Sequence, residues 1–218
     1  MISSKPSQYI KGWVEFYKLR FKVTPDVLIP RPETELLVDE ILSFARSSLL
    51  RLTILDLGTG AGNIAISIAE NIPSIKIIAA DVSKKALKIA QKNAKFHGIS
   101  NIDFIVSDLL SNIKTEPDII VTNLPYIPSA RIPTLDSSVK DYEPHIALDG
   151  GEDGFDLYRK LFRQINKKGW KPKLIVGEID YTHGDIAYTE AKKYFPDAKV
   201  EVKLDLAQNI RILIIQKL

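Results

Sequence analysis

From residue 52 onward, short runs of consecutive apolar residues alternate with longer segments in which apolar residues recur every three or four positions. The short runs are rich in Ile and Val, which is typical of parallel strands covered on both faces. They predict strands over residues 52–56, 75–80, 102–106, 118–122 and 173–179. The amphipathic segments, one of which precedes residue 52, predict helices over about 33–47, 62–71, 84–97, 154–167 and 184–194. This alternation favours an α/β protein, a three-layer α/β/α sandwich around a mostly parallel sheet.

The two ends of the chain follow a different pattern. Residues 8–23 are rich in aromatic and β-branched residues and predict two short strands. We therefore expect an N-terminal β-hairpin and connector over residues 1–32, followed by the main domain over 33–218. The main domain ends in two predicted strands, 198–204 and 210–217, and their short joint is typical of an antiparallel hairpin. This hairpin brings the predicted sheet to seven strands.

Composition narrows the classes of function. The 218 residues suit one large domain, or one domain with a small appendage. Cysteine is absent, which excludes disulfides, thiolate zinc sites and a cysteine nucleophile. The three histidines lie far apart, so no metal site is expected. No apolar run is long enough for a membrane span and the N-terminus lacks a secretory signal, so the sequence predicts a cytoplasmic protein without membrane partners.

The net charge of +3 is mildly basic, but two stretches concentrate the positive charge. Residues 1–31 contain six lysines or arginines against two acidic residues, and residues 84–95 contain five lysines. The second stretch is typical of a solvated helix face. The alternative is that it steers an RNA-containing or acidic partner toward the protein.

The first candidate site is a glycine-rich loop between the first strand of the main sheet and the next helix. Asp56, Gly58, Gly60 and Gly62 fall in the sequence ILDLGTGAGNIAI. Glycines here let the backbone turn tightly and approach a ligand closely, and the helix N-terminus offers free N–H groups. A dinucleotide-binding loop places its third glycine where this chain has Asn63. A carboxylate at Asp56 would repel a pyrophosphate, but it can receive a cationic ligand or hold the loop.

Acidic residues follow the next two predicted strands. Asp81 comes 21 residues after Gly60, where a carboxylate can accept both ribose hydroxyls of an adenosine ligand. Asp108 follows the third strand at the same edge of the sheet and can bond an adenine amino group. Either residue alone can also serve as a loop or helix cap. Together, features at three successive strand ends predict an S-adenosylmethionine site and a class I methyltransferase fold, which is Rossmann-like.

The second candidate site is Asn123-Leu124-Pro125-Tyr126, directly after the fourth strand. The nitrogen of an amide or aromatic amine is a poor nucleophile because its lone pair is delocalised, so methyl transfer requires that the group is held in orientation. The Asn123 side-chain oxygen can accept one N–H of the acceptor group, and the Leu124 carbonyl can accept the other. Pro125 stiffens the loop, and Tyr126 offers a flat surface to the planar group. The loop therefore predicts methyl transfer to nitrogen by positioning and electrostatics.

Several segments of the chain resemble a known family. The loop at 123–126 is similar to the Asn-Pro-Pro-Tyr motif of methyltransferases that act on amino and amide nitrogens. From about residue 8 to the end, the chain resembles the HemK or PrmC family, the glutamine methyltransferases that modify peptide chain release factors. The segments that carry this resemblance are VLIPRPETELLVDEIL (27–42), ILDLGTGAGNIAISIA (54–69), NLPYIP (123–128), YEPHIALDGGEDGFDLYRKL (142–161), GEIDY (177–181) and VEVKLDLAQNIRILII (200–215).

The resemblance implies a reaction and a set of site residues. It implies methylation of the glutamine in the Gly-Gly-Gln loop of a release factor, a step in the control of translation termination, with S-adenosylmethionine as donor and S-adenosylhomocysteine as product. The residues implied to line the cofactor are Gly58, Thr59, Gly60, Ala61, Gly62, Asp81, Val82, Asp108, Leu109 and Asn123. Those implied to hold the glutamine amide are Asn123, Leu124, Pro125 and Tyr126, with Asn123, Pro125 and Tyr126 as catalytic residues. Arg31, Glu33 and Thr34 are implied to form a wall beside the cofactor and the Asn123 loop.

The chain departs from the family pattern at two places. Leu124 stands where the family has Pro, which keeps the backbone carbonyl but removes one restraint on φ. The family's helical N-terminal domain is not expected here, because only about seven residues precede the first predicted strand. Three explanations are open: the sequence is truncated, the protein docks its partner in a different way, or an added subunit docks the partner.

The segment 127–153 has little regular pattern, and a loop this long within a compact domain is usually functional. Its position after the Asn123 loop suits a fold over the acceptor site. Its acidic residues suit either a basic partner loop or solvent; they include Asp141, Glu143, Asp149, Glu152 and Asp153.

Three alternatives remain open. The acceptor can be a ribosomal protein glutamine or an RNA adenine, because Asn-Leu-Pro-Tyr also resembles the loop of ribosomal RNA adenine methyltransferases; RNA predicts salt-sensitive binding, whereas the release-factor reaction requires no nucleic acid. A nucleotide-binding dehydrogenase would share the glycine loop, but Asp56, Asn63 and the final hairpin argue against it. A non-catalytic binding module would keep the fold without needing Asn123 and Tyr126.

Overall fold

The computed structural model of the protein describes residues 5–47 and 52–217. The helices are α1 (Ser7–Lys11), α2 (Glu35–Ser47), α3 (Asn63–Asn71), α4 (Lys84–Phe96), α5 (Ser137–Lys140), α6 (Asp156–Lys168) and α7 (Gly184–Tyr194). The strands are β1 (Trp13–Phe16), β2 (Leu19–Lys22), β3 (Thr53–Leu57), β4 (Lys76–Asp81), β5 (Ile102–Val106), β6 (Ile119–Thr122), β7 (Leu174–Glu178), β8 (Lys199–Leu204) and β9 (Ile210–Gln216). Short 3₁₀ helices occur at Pro32–Thr34, Ser129–Thr134 and His145–Ala147.

Seven of the strands form one sheet in the order β5-β4-β3-β6-β7-β9-β8. Strands β3 to β7 pair in parallel, whereas β9 runs antiparallel to both β7 and β8. The predicted mostly parallel seven-stranded sheet with a C-terminal antiparallel hairpin is therefore confirmed. The strand order reverses between β3 and β6, and ligands of open α/β sheets bind outside the carboxyl ends of the strands at such a point.

Successive residues of the central strands face two separate apolar layers. Ile119 and Val121 belong to one core cluster with residues of α2 and α3, whereas Ile120 belongs to another with residues of α6 and α7. Burial on both faces stabilises these strands by about 25 cal/mol per Å² of apolar surface removed from water. The order of layers is helix, sheet, helix, as predicted. The lysines of α4 are exposed, as on a solvated helix face.

The N-terminal segment differs from the prediction in one element. Strands β1 and β2 form the expected hairpin, but residues 7–11 are helical, so the prediction of a strand beginning at residue 8 is wrong. Gly12 ends this helix with a φ of 78°, and its N–H donates to the Gln8 carbonyl at 2.8 Å. The buried Tyr9 donates its hydroxyl to the Val27 carbonyl at 2.6 Å. The helix is thus held by a contact distant in sequence, which no local pattern reveals.

The hairpin packs directly on the main sheet and its helices. Phe16 and Phe21 are buried in the same core cluster as residues of α2 and α3. Their rings meet edge to face, with centroids 6.0 Å apart. The division into units 1–32 and 33–218 stays a prediction, and residues 1–4 of the first unit lie outside the described residues.

The segment 127–153 is more ordered than its pattern indicates, because it contains two short 3₁₀ helices and α5. Ile127 and Asp149 form a parallel bridge that closes it into a loop. Its acidic residues are largely satisfied within the chain, since Asp149 accepts from the Ser129 hydroxyl at 2.6 Å and Asp153 pairs with Arg159. Fewer carboxylates are therefore available to a basic partner than the sequence indicates.

No helix within residues 5–47 and 52–217 is long and apolar enough to cross a membrane. Within the same residues, no group of three or more His, Asp or Glu side chains is placed to hold a metal ion.

Candidate active site

A cavity of about 290 Å³ opens at the carboxyl ends of β3, β4, β5 and β6. Its size is close to the lower limit for small-molecule pockets, about 300–1,000 Å³. Most of the predicted site residues line it, namely Arg31, Thr34, Gly58, Thr59, Gly60, Ala61, Asp81, Val82, Asp108, Leu109, Asn123, Leu124 and Pro125. The structure thus brings together residues from five separate segments of the chain.

Besides Asp56, three predicted site residues are not part of the cavity lining. Gly62 directly precedes α3, and a Cβ there would lie 3.0 Å from the Ala90 side chain, so the lack of a side chain lets α3 and α4 pack closely. Glu33 is exposed to solvent. The side chain of Tyr126 points away from the cavity, and its hydroxyl donates to Glu178 Oε1 at 3.0 Å. Ligand contacts of these three residues stay predictions.

The glycine loop is held against β4 by its own backbone. The N–H groups of Gly58 and Thr59 both donate to the Ala80 carbonyl, at 2.8 and 3.0 Å. Gly60 has a φ of 55°, in the left-handed region that only glycine adopts without strain. The backbone can therefore form one wall of the cavity without side chains between it and a ligand.

Asp56 lies beneath this loop, where solvent does not reach it. Its Oδ2 accepts hydrogen bonds from the Thr59 hydroxyl at 2.6 Å and the Ala65 N–H at 3.2 Å. Burial raises the pKa of this carboxyl to about 7, although the two hydrogen bonds oppose the shift. Asp56 holds the loop rather than contacting a ligand, because it does not line the cavity.

Asp81 presents its carboxylate to the cavity from the end of β4. Its Oδ2 accepts from the Gly60 N–H at 2.9 Å, and its Oδ1 accepts from the Ser83 N–H at 2.8 Å. Burial raises the pKa of Asp81, while these backbone hydrogen bonds act in the opposite direction. Each carboxylate oxygen retains a second lone pair, so Asp81 can still accept two hydroxyl groups of a ligand.

Asp108 and Leu109 form the rim of the cavity after β5. The Asp108 side chain is exposed and its Oδ2 accepts from the Lys160 ammonium at 2.6 Å. Leu109 is buried and has a φ of 49°, and its carbonyl accepts from the Ser107 hydroxyl at 2.6 Å. Asp108 thus shares its charge with a lysine, whereas no cation in residues 5–47 and 52–217 forms an ion pair with the Asp81 carboxylate.

Asn123 is fixed through its amide nitrogen. Nδ2 donates to the Thr34 hydroxyl and to Glu178 Oε2, both at 3.1 Å. No hydrogen bond from the part of the chain that the structure describes reaches Asn123 Oδ1 or the Leu124 carbonyl. Two hydrogen-bond acceptors are therefore left open in residues that line the cavity. The buried Leu124 side chain anchors this loop in the core.

Two glycines, one within segment 127–153 and one directly after it, let the chain pack against the back of the Asn123 loop. A Cβ on Gly150 would lie 2.7 Å from Tyr126 Cα and 2.8 Å from the Pro125 carbonyl oxygen. A Cβ on Gly154 would lie 2.3 Å from the Tyr126 carbonyl oxygen. The backbone of the loop is therefore in direct contact with glycine backbone, which fixes its position.

Arg31 joins the N-terminal connector to the same segment. Its guanidinium pairs with the buried Glu143, whose other oxygen accepts from the Ile29 N–H at 3.1 Å. Arg31 lines the cavity, but its charge is already opposed by Glu143. The pair closes the cavity on the side of the connector.

Comparison with known proteins places this geometry in a family. The model of the methyltransferase small domain matches residues 32–134. The chain is 40% identical over 211 residues to the release factor glutamine methyltransferase of Lactococcus lactis, which covers 96% of this chain and 77% of that protein. This chain belongs to the release factor glutamine methyltransferase family. It is also 38% identical over 220 residues to the family member of Thermodesulfovibrio yellowstonii, with 99% of this chain and 78% of that protein covered.

Solved structures share the fold of this family member at low sequence identity. A methyltransferase of Pyrococcus furiosus superposes with a TM-score of 0.62 at 16% identity, covering 91% of this chain and 89% of that one. A tRNA uracil methyltransferase of Pyrococcus abyssi, solved with S-adenosyl-L-homocysteine, superposes with a TM-score of 0.56 at 13% identity, covering 94% of this chain and 44% of that one. These likenesses extend the methyltransferase fold to this chain.

Sequence reasoning assigned no role to Glu178, and it assigned Glu143 only to the acidic residues of segment 127–153 that suit a basic partner or solvent, whereas the structure buries Glu143 against Arg31. Glu178 ends an apolar strand and Glu143 lies in an irregular segment, so neither shows a spacing typical of a site. Both fall within segments that carry the family resemblance, GEIDY and YEPHIALDGGEDGFDLYRKL. Their presence in these segments is the signal in the sequence that could have identified them as site residues.

Proposed function

We propose that this chain transfers a methyl group from S-adenosylmethionine to the side-chain amide nitrogen of a release factor glutamine, in the Gly-Gly-Gln loop. Membership of the family supports a methyltransferase, and the names of the relatives supply the glutamine and the release factor. Release factors act during protein synthesis, so we place the reaction in the cytoplasm. The partner is a protein, and the reaction itself needs no nucleic acid.

The observation that carries this proposal is the pair of open acceptors at Asn123 Oδ1 and the Leu124 carbonyl. A primary amide has two N–H donors on one nitrogen, and each acceptor can take one of them. Because the amide is planar, holding both hydrogens fixes the plane of the group relative to the cavity. The nitrogen is then presented to the cavity in one orientation, which is the part of the barrier that positioning can remove.

The residues present also fit an adenosyl methyl donor. When bound, S-adenosylmethionine supplies an electrophilic methyl group on a sulfonium. The fixed Asp81 carboxylate can accept the ribose hydroxyls, and the bare backbone of Gly58 to Gly60 allows close approach. Asp108 can accept the adenine amino group at the rim through the oxygen that does not bind Lys160. No base is needed before the transfer, because the methylated nitrogen is cationic and then loses a proton to solvent.

The test is mass spectrometry of a release factor incubated with the chain and S-adenosylmethionine. We expect one added methyl group, mapped by fragmentation to the glutamine of the Gly-Gly-Gln loop. A matched reaction with Asn123→Ala should leave the release factor unmodified. A methyl group at another residue, or none while the cofactor binds in a parallel titration, would contradict the proposal and direct the search to ribosomal protein glutamine and RNA adenine.

A further inference from the structure

Three hydrogen-bond donors converge on the carboxylate of Glu178 at the end of β7. The Thr34 hydroxyl donates to Oε2 at 2.6 Å, and Asn123 Nδ2 donates to the same oxygen at 3.1 Å. The Tyr126 hydroxyl donates to Oε1 at 3.0 Å. Glu178 is 1% exposed, so these contacts take place away from water. The three donors come from the 3₁₀ helix Pro32–Thr34 and from the first and last residues of the Asn123 loop, and all three meet at this side chain.

The direction of each hydrogen bond follows from the carboxylate. An ionised carboxylate only accepts hydrogen bonds, so Thr34 must give it the hydroxyl hydrogen. The Thr34 oxygen is then left as an acceptor, and it takes a hydrogen from Asn123 Nδ2 at 3.1 Å. These two acceptors, the Thr34 hydroxyl and Glu178 Oε2, are 2.6 Å apart and each lies 3.1 Å from Nδ2, so both lie on one side of the amide nitrogen and hold it behind the cavity. The remaining polar atom of that amide, Oδ1, is the one left for a ligand.

We infer that Glu178 is a positioning residue that sets the hydrogen-bond polarity of Asn123, so that the site accepts N–H groups and rejects carboxylates. The inference rests on the proposed function, and it states how the site would distinguish a glutamine side chain from a glutamate side chain. A glutamine amide gives two hydrogens to Oδ1 and the Leu124 carbonyl. A glutamate carboxylate has none to give, and its oxygens face two acceptors. A site built around hydrogen bonds to N–H discriminates strongly against an analogue that lacks them.

The cost of Glu178 to the fold supports a functional role. Burial raises the pKa of this carboxyl, although Thr34 and Tyr126 oppose the shift by donating to it. An apolar side chain of similar volume would avoid the desolvation of a charge. A stability role alone therefore does not explain why a carboxylate stands at this position.

Two variants of the full chain test the inference. Glu178→Met fills a similar volume without an acceptor, and Glu178→Gln keeps one acceptor oxygen. The first measurement is hydrogen exchange of the Asn123 side-chain amide by NMR, which needs no substrate. In the wild type we expect exchange at least about tenfold slower than at the exposed Asn209, and loss of this protection in Glu178→Met.

The second measurement is kinetics with a Gly-Gly-Gln peptide, with its Gly-Gly-Glu counterpart as inhibitor. We expect kcat to fall by about a hundredfold in Glu178→Met and by less in Glu178→Gln, while the S-adenosylmethionine dissociation constant stays within about twofold. The preference for the glutamine peptide over the glutamate peptide should fall by about tenfold in Glu178→Met, because the Asn123 amide can then turn its nitrogen to the cavity.

Unchanged amide protection in Glu178→Met would overturn the inference. So would a loss of kcat with wild-type discrimination between the two peptides, since that pattern describes a structural role alone. If the wild-type chain methylates no glutamine peptide, the proposed function fails, while the exchange measurement still decides whether Glu178 fixes Asn123.

Discussion

At the scale of single residues, Asn123 is the side chain on which turnover should depend most. Its nitrogen is held by Thr34 and Glu178, so its free oxygen has one orientation. Asn123→Ala removes one of the two acceptors for the substrate amide, and kcat should fall by at least about a hundredfold. Isothermal titration should show S-adenosylmethionine affinity close to that of the wild type. A variant that keeps most of its turnover would rule out the orienting role.

Asp81 should determine cofactor affinity in the same way. Its carboxylate is fixed by two backbone N–H groups and lines the cavity, and no lysine or arginine among the described residues forms an ion pair with it. Asp81→Ala should weaken S-adenosylmethionine binding by roughly 1–3 kcal/mol, the range for hydrogen bonds to a charged group. Asp108→Ala is the matched control, and its loss should be smaller because Asp108 is exposed and already pairs with Lys160. Equal affinities of wild type and Asp81→Ala would remove Asp81 from the cofactor site.

Asp56 should make stability depend on pH. Burial raises the pKa of its carboxyl from 3.8 to about 7, so between these values the folded chain keeps a proton that the unfolded chain has lost. Its contribution to stability is therefore present below about pH 4 and is lost as the pH rises through about 7. Asp56→Asn stays neutral at every pH. The unfolding free energy of this variant minus that of the wild type should therefore increase from pH 5 to pH 8, by an amount on the order of a few kcal/mol.

Urea denaturation at both pH values measures this difference, with Asp103→Asn on the exposed part of β5 as control. A difference between Asp56→Asn and wild type that does not change with pH would contradict the assignment. It would mean that Asp56 is ionised in the folded chain at pH 5 despite its burial.

The role of a single residue could be predicted from the sequence only where the neighbouring residues indicated its position in the fold. Asp81 and Asn123 each follow directly after an apolar strand, and parallel strands end at one edge of the sheet, so their meeting could be predicted. Glu178 meets Thr34 from 144 residues away, and nothing in the pattern of either segment indicates the contact. The pairing of Arg31 with Glu143 is equally distant in sequence, 112 residues. Such contacts arise from packing of elements, which a local pattern does not contain.

At the scale of elements, the main sheet could be predicted because its strands are short, continuously apolar and buried on both faces. The exception was α1, where aromatic residues indicated a strand but Gly12 and the buried Tyr9 hold a short helix. Segment 127–153 could not be predicted in detail, because its form depends on bonds to other segments. The bond from Arg31 to Glu143 and the contact of Gly150 with the Asn123 loop are two of these.

The contact of Gly150 with the Asn123 loop predicts that a substitution outside the cavity lining lowers activity. Gly150→Ala would place a Cβ 2.6–2.8 Å from backbone atoms of Gly154, Tyr126 and Pro125, so the Asn123 loop must move. We expect kcat to fall by about tenfold or more, since small displacements of positioned groups are costly. Gly169→Ala is the control, because a Cβ there meets nothing within 4 Å. Its positive φ should cost about 1–2 kcal/mol of stability and leave kcat unchanged.

Equal kcat values for Gly150→Ala and the wild type would show that the loop tolerates displacement. In that case kcat would depend little on the exact positions of Asn123 Oδ1 and the Leu124 carbonyl, and mainly on their being hydrogen-bond acceptors. Crystals of the variant would show which backbone atoms had moved.

At the scale of the whole molecule, the site is assembled from segments that are far apart in the chain. The connector supplies Arg31 and the 3₁₀ helix that follows it supplies Thr34. The strand ends supply Asp81 and Asn123, and β7 supplies Glu178. The connector reaches the site because the hairpin before it is buried against α2 and α3. Stability of the hairpin and geometry of the site should therefore be linked.

The last prediction concerns whether residues 1–32 unfold separately from the rest. Phe21 is fully buried against Phe16 and His97, in a core cluster shared with the main sheet. Phe21→Ala should lower the unfolding free energy by about 3–5 kcal/mol, whereas Ile10→Ala, at an exposed position, should change it by less than about 0.5 kcal/mol. The chain has two tryptophans, Trp13 in β1 and Trp170 after α6, so single-tryptophan variants report on each region.

We expect both tryptophans to show one denaturant midpoint in the wild-type background, and both midpoints to shift together in Phe21→Ala. The reason is that the buried side chains of β1 and β2, Phe16 and Phe21, belong to the core cluster of the main sheet. If Trp13 instead lost its native fluorescence at a lower denaturant concentration than Trp170, residues 1–32 would form an independent unit. Arg31 and Thr34 would then be positioned from within the main domain, and loss of the hairpin would leave S-adenosylmethionine affinity unchanged.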